Sequence, residues 1–133
     1  ANVLKGLGSR HVMVVHSADG LDELSVADKT YVAELKDGVV TTYTIHPEEL
    51  DLALGDLNDI KADDAKDSLN IIKDAFSGKE GAARDIISLN AGAAIYVCGL
   101  TGSLKPGIEK ARLALSDGSA QQKLDDYIKT SNS

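Results

Sequence analysis

Asp22 and Glu23 stand side by side in the stretch HVMVVHSADGLDEL, residues 11 to 24, directly after an apolar run. Adjacent carboxylates in such a place can hold a divalent cation. Mg²⁺ is the ion they suit, because it keeps several waters and is usually held by one or two carboxylates together with substrate phosphates. Calcium and zinc demand more ligands from the protein. Gly20 allows the sharp backbone turn that would aim both acids at one point, and Leu21 and Leu24 are placed to anchor the loop in a core. Val12 to Val15 read as a fully buried strand, so residues 17 to 25 form the loop at its carboxyl end, where open α/β sheets place ligands. The same mixture of Asp, Gly and Ser also makes ordinary turns, and spacing alone leaves both readings open.

The remaining reactive residues form no second constellation. His16 ends the strand beside the acids and is of a residue type that can act as an acid or base, but a ring hydrogen-bonded to the loop is the simpler expectation. Asp19 is close to the pair and is not assigned as a ligand. Cys98, the only cysteine, lies on an apolar helix and reads as a small buried hydrophobe. Asn90 in the same helix reads as a satisfied amide bonding across to a neighbour. His11 and His46 are too isolated for a metal cluster, and no Ser/His/Asp arrangement can be assembled, so no catalytic residue is assigned. Residues 48 to 67 carry eight acids against Lys61 and Lys66. Ile60 and Lys61 fall where a calcium loop needs a ligand and its glycine, which makes this segment a solvated loop and helix start.

The elements that must hold the acidic loop follow from periodicity. TYVAELK and VVTTYTI flank Asp37-Gly38, the residues a two-residue hairpin turn favours. Tyr31, Ala33, Leu35 and Val40 then share one face, which is expected to meet the core. Residues 1 to 9 resemble a last helical turn. Leu69, Ile72 and Phe76 mark a helix behind an Asp63 or Asp64 cap and ahead of Gly78. Residues 86 to 100 are apolar nearly all round and predict a buried helix closely packed by others. Leu104, Ile108, Ala111 and Leu115 predict another, with Ser103 as cap and Pro106 in its first turn. Ser119 and Gln122 read as a capping box opening a last helix. The sum is one α/β domain: a buried strand and a β-hairpin packed with about four helices.

Composition narrows the partners. A net charge of −7 repels a phosphate backbone, which argues against nucleic acid. No apolar run is long enough to span a membrane and no secretory leader precedes the first strand, so a cytoplasmic location is expected.

The runs VMVVHSADGLDELS, TYVAELKDG and SLNAGAAIYV closely resemble the carboxyl-terminal part of the anthranilate phosphoribosyltransferase family of the tryptophan pathway, in the family's order and spacing over nearly the whole chain. That resemblance implies the carboxyl-terminal part of a nucleoside phosphorylase/phosphoribosyltransferase-type fold. It implies transfer of the phosphoribosyl group of phosphoribosyl pyrophosphate (PRPP) to anthranilate with loss of pyrophosphate, and Mg²⁺ as cofactor. The family's Asp-Glu pair, which helps hold magnesium over the diphosphate, falls on Asp22 and Glu23. Family members are homodimers, and their chains are well over twice this length. Their Gly-Thr-Gly-Gly-Asp phosphate loop, Lys-Gly-Asn stretch and anthranilate-holding arginine have no counterpart here, and KGLGS at 5 to 9 lacks the acid and the strand-then-helix setting of a phosphate cradle. Residues 1–133 are thus expected to be a carboxyl-terminal piece of the α/β domain, without the amino-terminal helical domain, and inactive alone. A pyrimidine-nucleoside phosphorylase of similar fold and a non-catalytic assembly module are the alternatives.

Overall fold

The structure, a computed structural model, describes residues 1–132. A short helix, α1 (Asn2–Gly6), leads into three strands, β1 (His11–Ser17), β2 (Thr30–Lys36) and β3 (Val39–Ile45), which form an antiparallel sheet in the order β1-β2-β3. Two 3-10 turns, Pro47–Leu50 and Leu57–Ile60, carry the chain to helices α2 (Ala65–Phe76), α3 (Ala82–Val97), α4 (Leu104–Ser116) and α5 (Ser119–Ser131). The strands are rich in Val, Thr and Tyr, whose stiff side chains suit a pleated surface. Asp37 and Gly38 take φ of 50° and 76°, the left-handed pair that a two-residue hairpin requires, and they set Lys36 opposite Val39.

That register puts Tyr31, Ala33, Leu35 and Val40 on one face, as expected, but the opposite face meets the helices. Val32 and Ile45 enter the core cluster while Tyr31 is 47% exposed. Leu35 is buried as well, outside that cluster. The reason for the inversion is polar. Glu34, on the inward face, accepts hydrogen bonds from His11 Nε2 (2.7 Å), Tyr43 OH (2.7 Å) and Tyr96 OH (2.8 Å), joining all three strands to α3. Lys36 Nζ donates to Tyr96 OH at 3.1 Å. An alternation count that scores Glu as outward cannot see a buried carboxylate with three donors.

The same orientation corrects the reading of β1. It lies at the sheet edge and is only half-buried: Met13 and Val15 pack against the core and Val14 is exposed.

The core sits between this sheet and α3. Leu24, Val26, Val32, Ile45 and Leu52 pack on Ala82, Ile86, Leu89 and Ala93 of α3, with Ile108 of α4 closing the far side. Leu89 and Ile108 are almost wholly buried, each worth about 2 kcal/mol. Helix α3 runs four residues earlier at its start, and stops three earlier, than its apolar run suggests; Ala82 and Ala83 extend the helix because alanine propagates it readily. The expected close approach is made by Gly92 of α3 and Gly107 of α4. A Cβ on Gly92 would stand 2.6 Å from the Ile108 nitrogen, and one on Gly107 2.3 Å from the Gly92 oxygen.

Helix ends show where local signals held. Asp64 caps α2, its carboxylate accepting from the Asp67 N–H at 2.8 Å. Pro106 stays in the first turn of α4, but Ser103 at the cap position makes no side-chain capping bond. The capping box of Ser119 and Gln122 does not form. Gly118, at φ 80°, takes the cap position, so Ser119 becomes the first helical residue and its hydroxyl donates to the Ala114 carbonyl. Cys98 caps the end of α3 and is exposed, not buried. Among the described residues no helix is long and apolar enough to cross a membrane.

Candidate metal-binding loop

The loop from β1 to β2 first closes on itself. Ser17 N–H donates to the Leu21 carbonyl at 2.9 Å, Gly20 N–H to the Ser17 carbonyl at 3.1 Å, and Ala18 N–H to the Lys29 carbonyl at 2.9 Å. Gly20 supplies the required backbone, at φ 97°, with open space where a Cβ would stand. Asp19 is spent inside this turn: its carboxylate accepts from the Leu21 N–H at 3.1 Å and from the Ser25 hydroxyl. Burial alone would raise its pKa, but hydrogen bonds from Ser25, Ser17 and Leu21 outweigh burial and hold the carboxyl below the ordinary range. The structure therefore gives Asp19 a structural task inside the turn.

Asp22 and Glu23 follow this closed turn, and both are exposed. Neither makes a hydrogen bond or ion pair with any described residue, so four carboxylate oxygens face solvent without protein donors. Partial burial raises the Glu23 pKa, and the Asp22 charge beside it adds to the rise. Glu23 reads as exposed by surface area yet desolvated in its ionisation, because it lines, with Ile60, Ile71, Ile72, Ile86 and Ile87, a cleft of about 400 Å³ between α2 and α3. Two adjacent acids, one disfavoured as an anion by the other and by an apolar wall, form a donor set that a hydrated hard cation would relieve. Among the described residues no cluster of three or more potential metal ligands exists.

Leu21 and Leu24 anchor the loop as expected; Leu24 is 1% exposed. The polar anchor is Asn90 of α3. Its Oδ1 accepts from the Leu24 N–H at 3.0 Å, and its Nδ2 donates to the carbonyls of Leu24 at 2.8 Å and Ile86 at 3.0 Å. Asn90 is the satisfied amide expected from sequence, but its partner lies 66 residues away, a distance no local pattern encodes. The loop is thus positioned by helix packing, since the described sheet is antiparallel and lacks the parallel crossover on which the strand-end rule rests. His16 is exposed and its ring makes no hydrogen bond to the loop, which corrects that expectation.

The acidic segment 48 to 67 is loop and helix start, as its spacing indicated. Asp51 pairs with Lys105 at 2.9 Å, Asp56 accepts from the Asn58 N–H at 2.8 Å, and Asp64 caps α2.

The chain as a whole is similar to known proteins. The chain is 60% identical over 131 residues to the anthranilate phosphoribosyltransferase of Ruthia magnifica subsp. Calyptogena magnifica, covering 98% of this chain and 39% of that one. The crystal structure of anthranilate phosphoribosyltransferase from Thermus thermophilus is similar with a TM-score of 0.83 at 33% identity, over 95% of this chain and 37% of that one. A variant of the Saccharomyces cerevisiae enzyme, with Mg bound, matches 90% of this chain and 35% of its own with a TM-score of 0.78 at 26% identity. The chain spans about 39% of the length of the curated relatives it matches. Residues 1–121 match the family described as "Glycosyl transferase family, a/b domain", and the chain belongs to that family.

Proposed function

We propose that this chain is the carboxyl-terminal part of an anthranilate phosphoribosyltransferase, an enzyme that moves the phosphoribosyl group of PRPP to the amine of anthranilate and releases pyrophosphate. The observation that carries the proposal is the pair Asp22 and Glu23, free of protein partners at the end of an anchored loop, in a chain 60% identical to an enzyme of that name. The Mg-bound yeast relative supports the choice of metal. Asp22 and Glu23 would hold Mg²⁺, which when bound neutralises charge developing on the leaving diphosphate. The chain's own contributions would be to seat Glu23 where a cation relieves its partial burial and to spend Asp19 inside the turn, so that both acids stay free of protein partners. Substrate positioning, from which such reactions draw much of their acceleration, falls to parts of a full-length enzyme beyond this 39%, as does assembly into a homodimer.

The test replaces the matching segment of the Ruthia magnifica enzyme with this chain and supplies anthranilate, PRPP and Mg²⁺. Formation of phosphoribosyl anthranilate by the chimera, and none by the isolated chain, is expected. A folded, inactive chimera would contradict the function, and turnover by the isolated chain would contradict its being a part.

A further inference from the structure

We infer that Asn90 is the positioning residue of the acidic pair: by clamping both backbone polar groups of Leu24 to α3, it fixes the direction in which Asp22 and Glu23 leave the loop. The inference rests on the metal-binding reading above and adds to it a residue 66 positions away from the clamped one. One side-chain amide here matches the donor and the acceptor of a single residue, at 3.0 and 2.8 Å. The Leu24 N–H belongs to the peptide that begins at Glu23, and the Leu24 carbonyl to the next peptide. Holding both fixes the two peptide planes on either side of the Leu24 Cα. The third bond, to the Ile86 carbonyl one turn back at 3.0 Å, fixes the amide itself on its helix.

The other contacts of the loop do not supply this restraint. Asp19, Ser17 and Gly20 tie the loop to itself and to the start of β2, and Gly55 N–H holds the far half through the Val26 carbonyl at 2.9 Å. The Asn90 bonds tie the acidic half to the helical layer, and the Leu24 side chain supplies the apolar half of the same anchor. Asparagine is also a poor choice for the middle of a helix on propensity alone. Outer partners of this kind commonly change metal affinity by tenfold or more without touching the ion.

The test uses the isotopically labelled chain and two signals: hydrogen exchange at the Leu24 amide, which needs no metal, and broadening of the Asp22 and Glu23 amides by Mn²⁺ as a paramagnetic stand-in for Mg²⁺. In Asn90→Leu, which keeps the branched outline of the side chain and removes all three bonds, Leu24 protection is expected to fall. The Mn²⁺ concentration needed for equal broadening is expected to rise about tenfold. Asn90→Ala, which removes the same three bonds without adding bulk or charge, serves if the first variant fails to fold, and is read by the same signals. Lost protection with unchanged Mn²⁺ broadening would overturn the positioning role and leave the metal reading standing. Absence of broadening at Asp22 and Glu23 in the unsubstituted chain would remove both.

Discussion

Glu23 sets the pH behaviour of the acidic pair. Its carboxyl holds a proton more readily than an ordinary glutamate because it is partly buried and faces Asp22. A cation must displace that proton, so divalent affinity is expected to be full above the raised Glu23 pKa and to fall as pH drops through it. Mn²⁺ broadening at the Asp22 amide, followed from neutral to acid pH, checks this. Glu23→Gln should weaken binding and remove the part of the acid loss that Glu23 causes, whereas an unchanged profile would exclude Glu23 as a ligand. At this scale the turn at Gly20 was legible, since glycine supplies the backbone a sharp loop needs. The fates of Asp19 and His16 were not, because hydrogen bonding inside a loop depends on where Ser25 and the backbone fold.

Among the elements, the sheet and α3 are joined through Glu34. Burial alone would raise its pKa, yet bonds from Tyr43, Tyr96 and His11, with attraction to His11, together lower it. Its folded pKa lies below its unfolded one, so its contribution is complete above the ordinary glutamate range and is lost as pH falls through the lowered folded value. Removing the carboxylate by Glu34→Ala leaves two tyrosine hydroxyls without their acceptor and is expected to cost about 2–3 kcal/mol at neutral pH. Denaturant unfolding across a pH series should show that cost shrinking in acid; a constant cost would mean Glu34 acts through packing alone. The hairpin was readable in Asp37-Gly38, because only a left-handed pair makes that turn. The buried face was not, since Tyr31, Leu35 and Val40 outscore Thr30 and Glu34 in hydrophobicity and only the tertiary network of Tyr43 and Tyr96 makes Glu34 an inward residue. The last capping box failed for a local reason: Gly118 ends one helix and caps the next, which leaves Ser119 no cap to form.

Across the whole molecule, the helices bury one face of the sheet and leave Val14 and Tyr31 of the other exposed. The acidic loop protrudes where sheet and α3 meet, held from below by Leu24 and Asn90. The α/β character and helix order were legible from periodicity, and family membership was legible in the runs around Asp22 and Asn90. Which residues bring α3 against α4 was not, because that contact turns on glycines at 92 and 107 that meet across the two helices. Asp22 and Glu23 are proposed to serve a divalent cation during phosphoribosyl transfer. The most direct measurement is the Mg²⁺ concentration giving half-maximal rate in the chimeric enzyme with and without Asp22→Ala. A rise of about tenfold or more, with fold and thermal stability unchanged, is the predicted result. An equal rate at limiting Mg²⁺ in both enzymes would contradict the account.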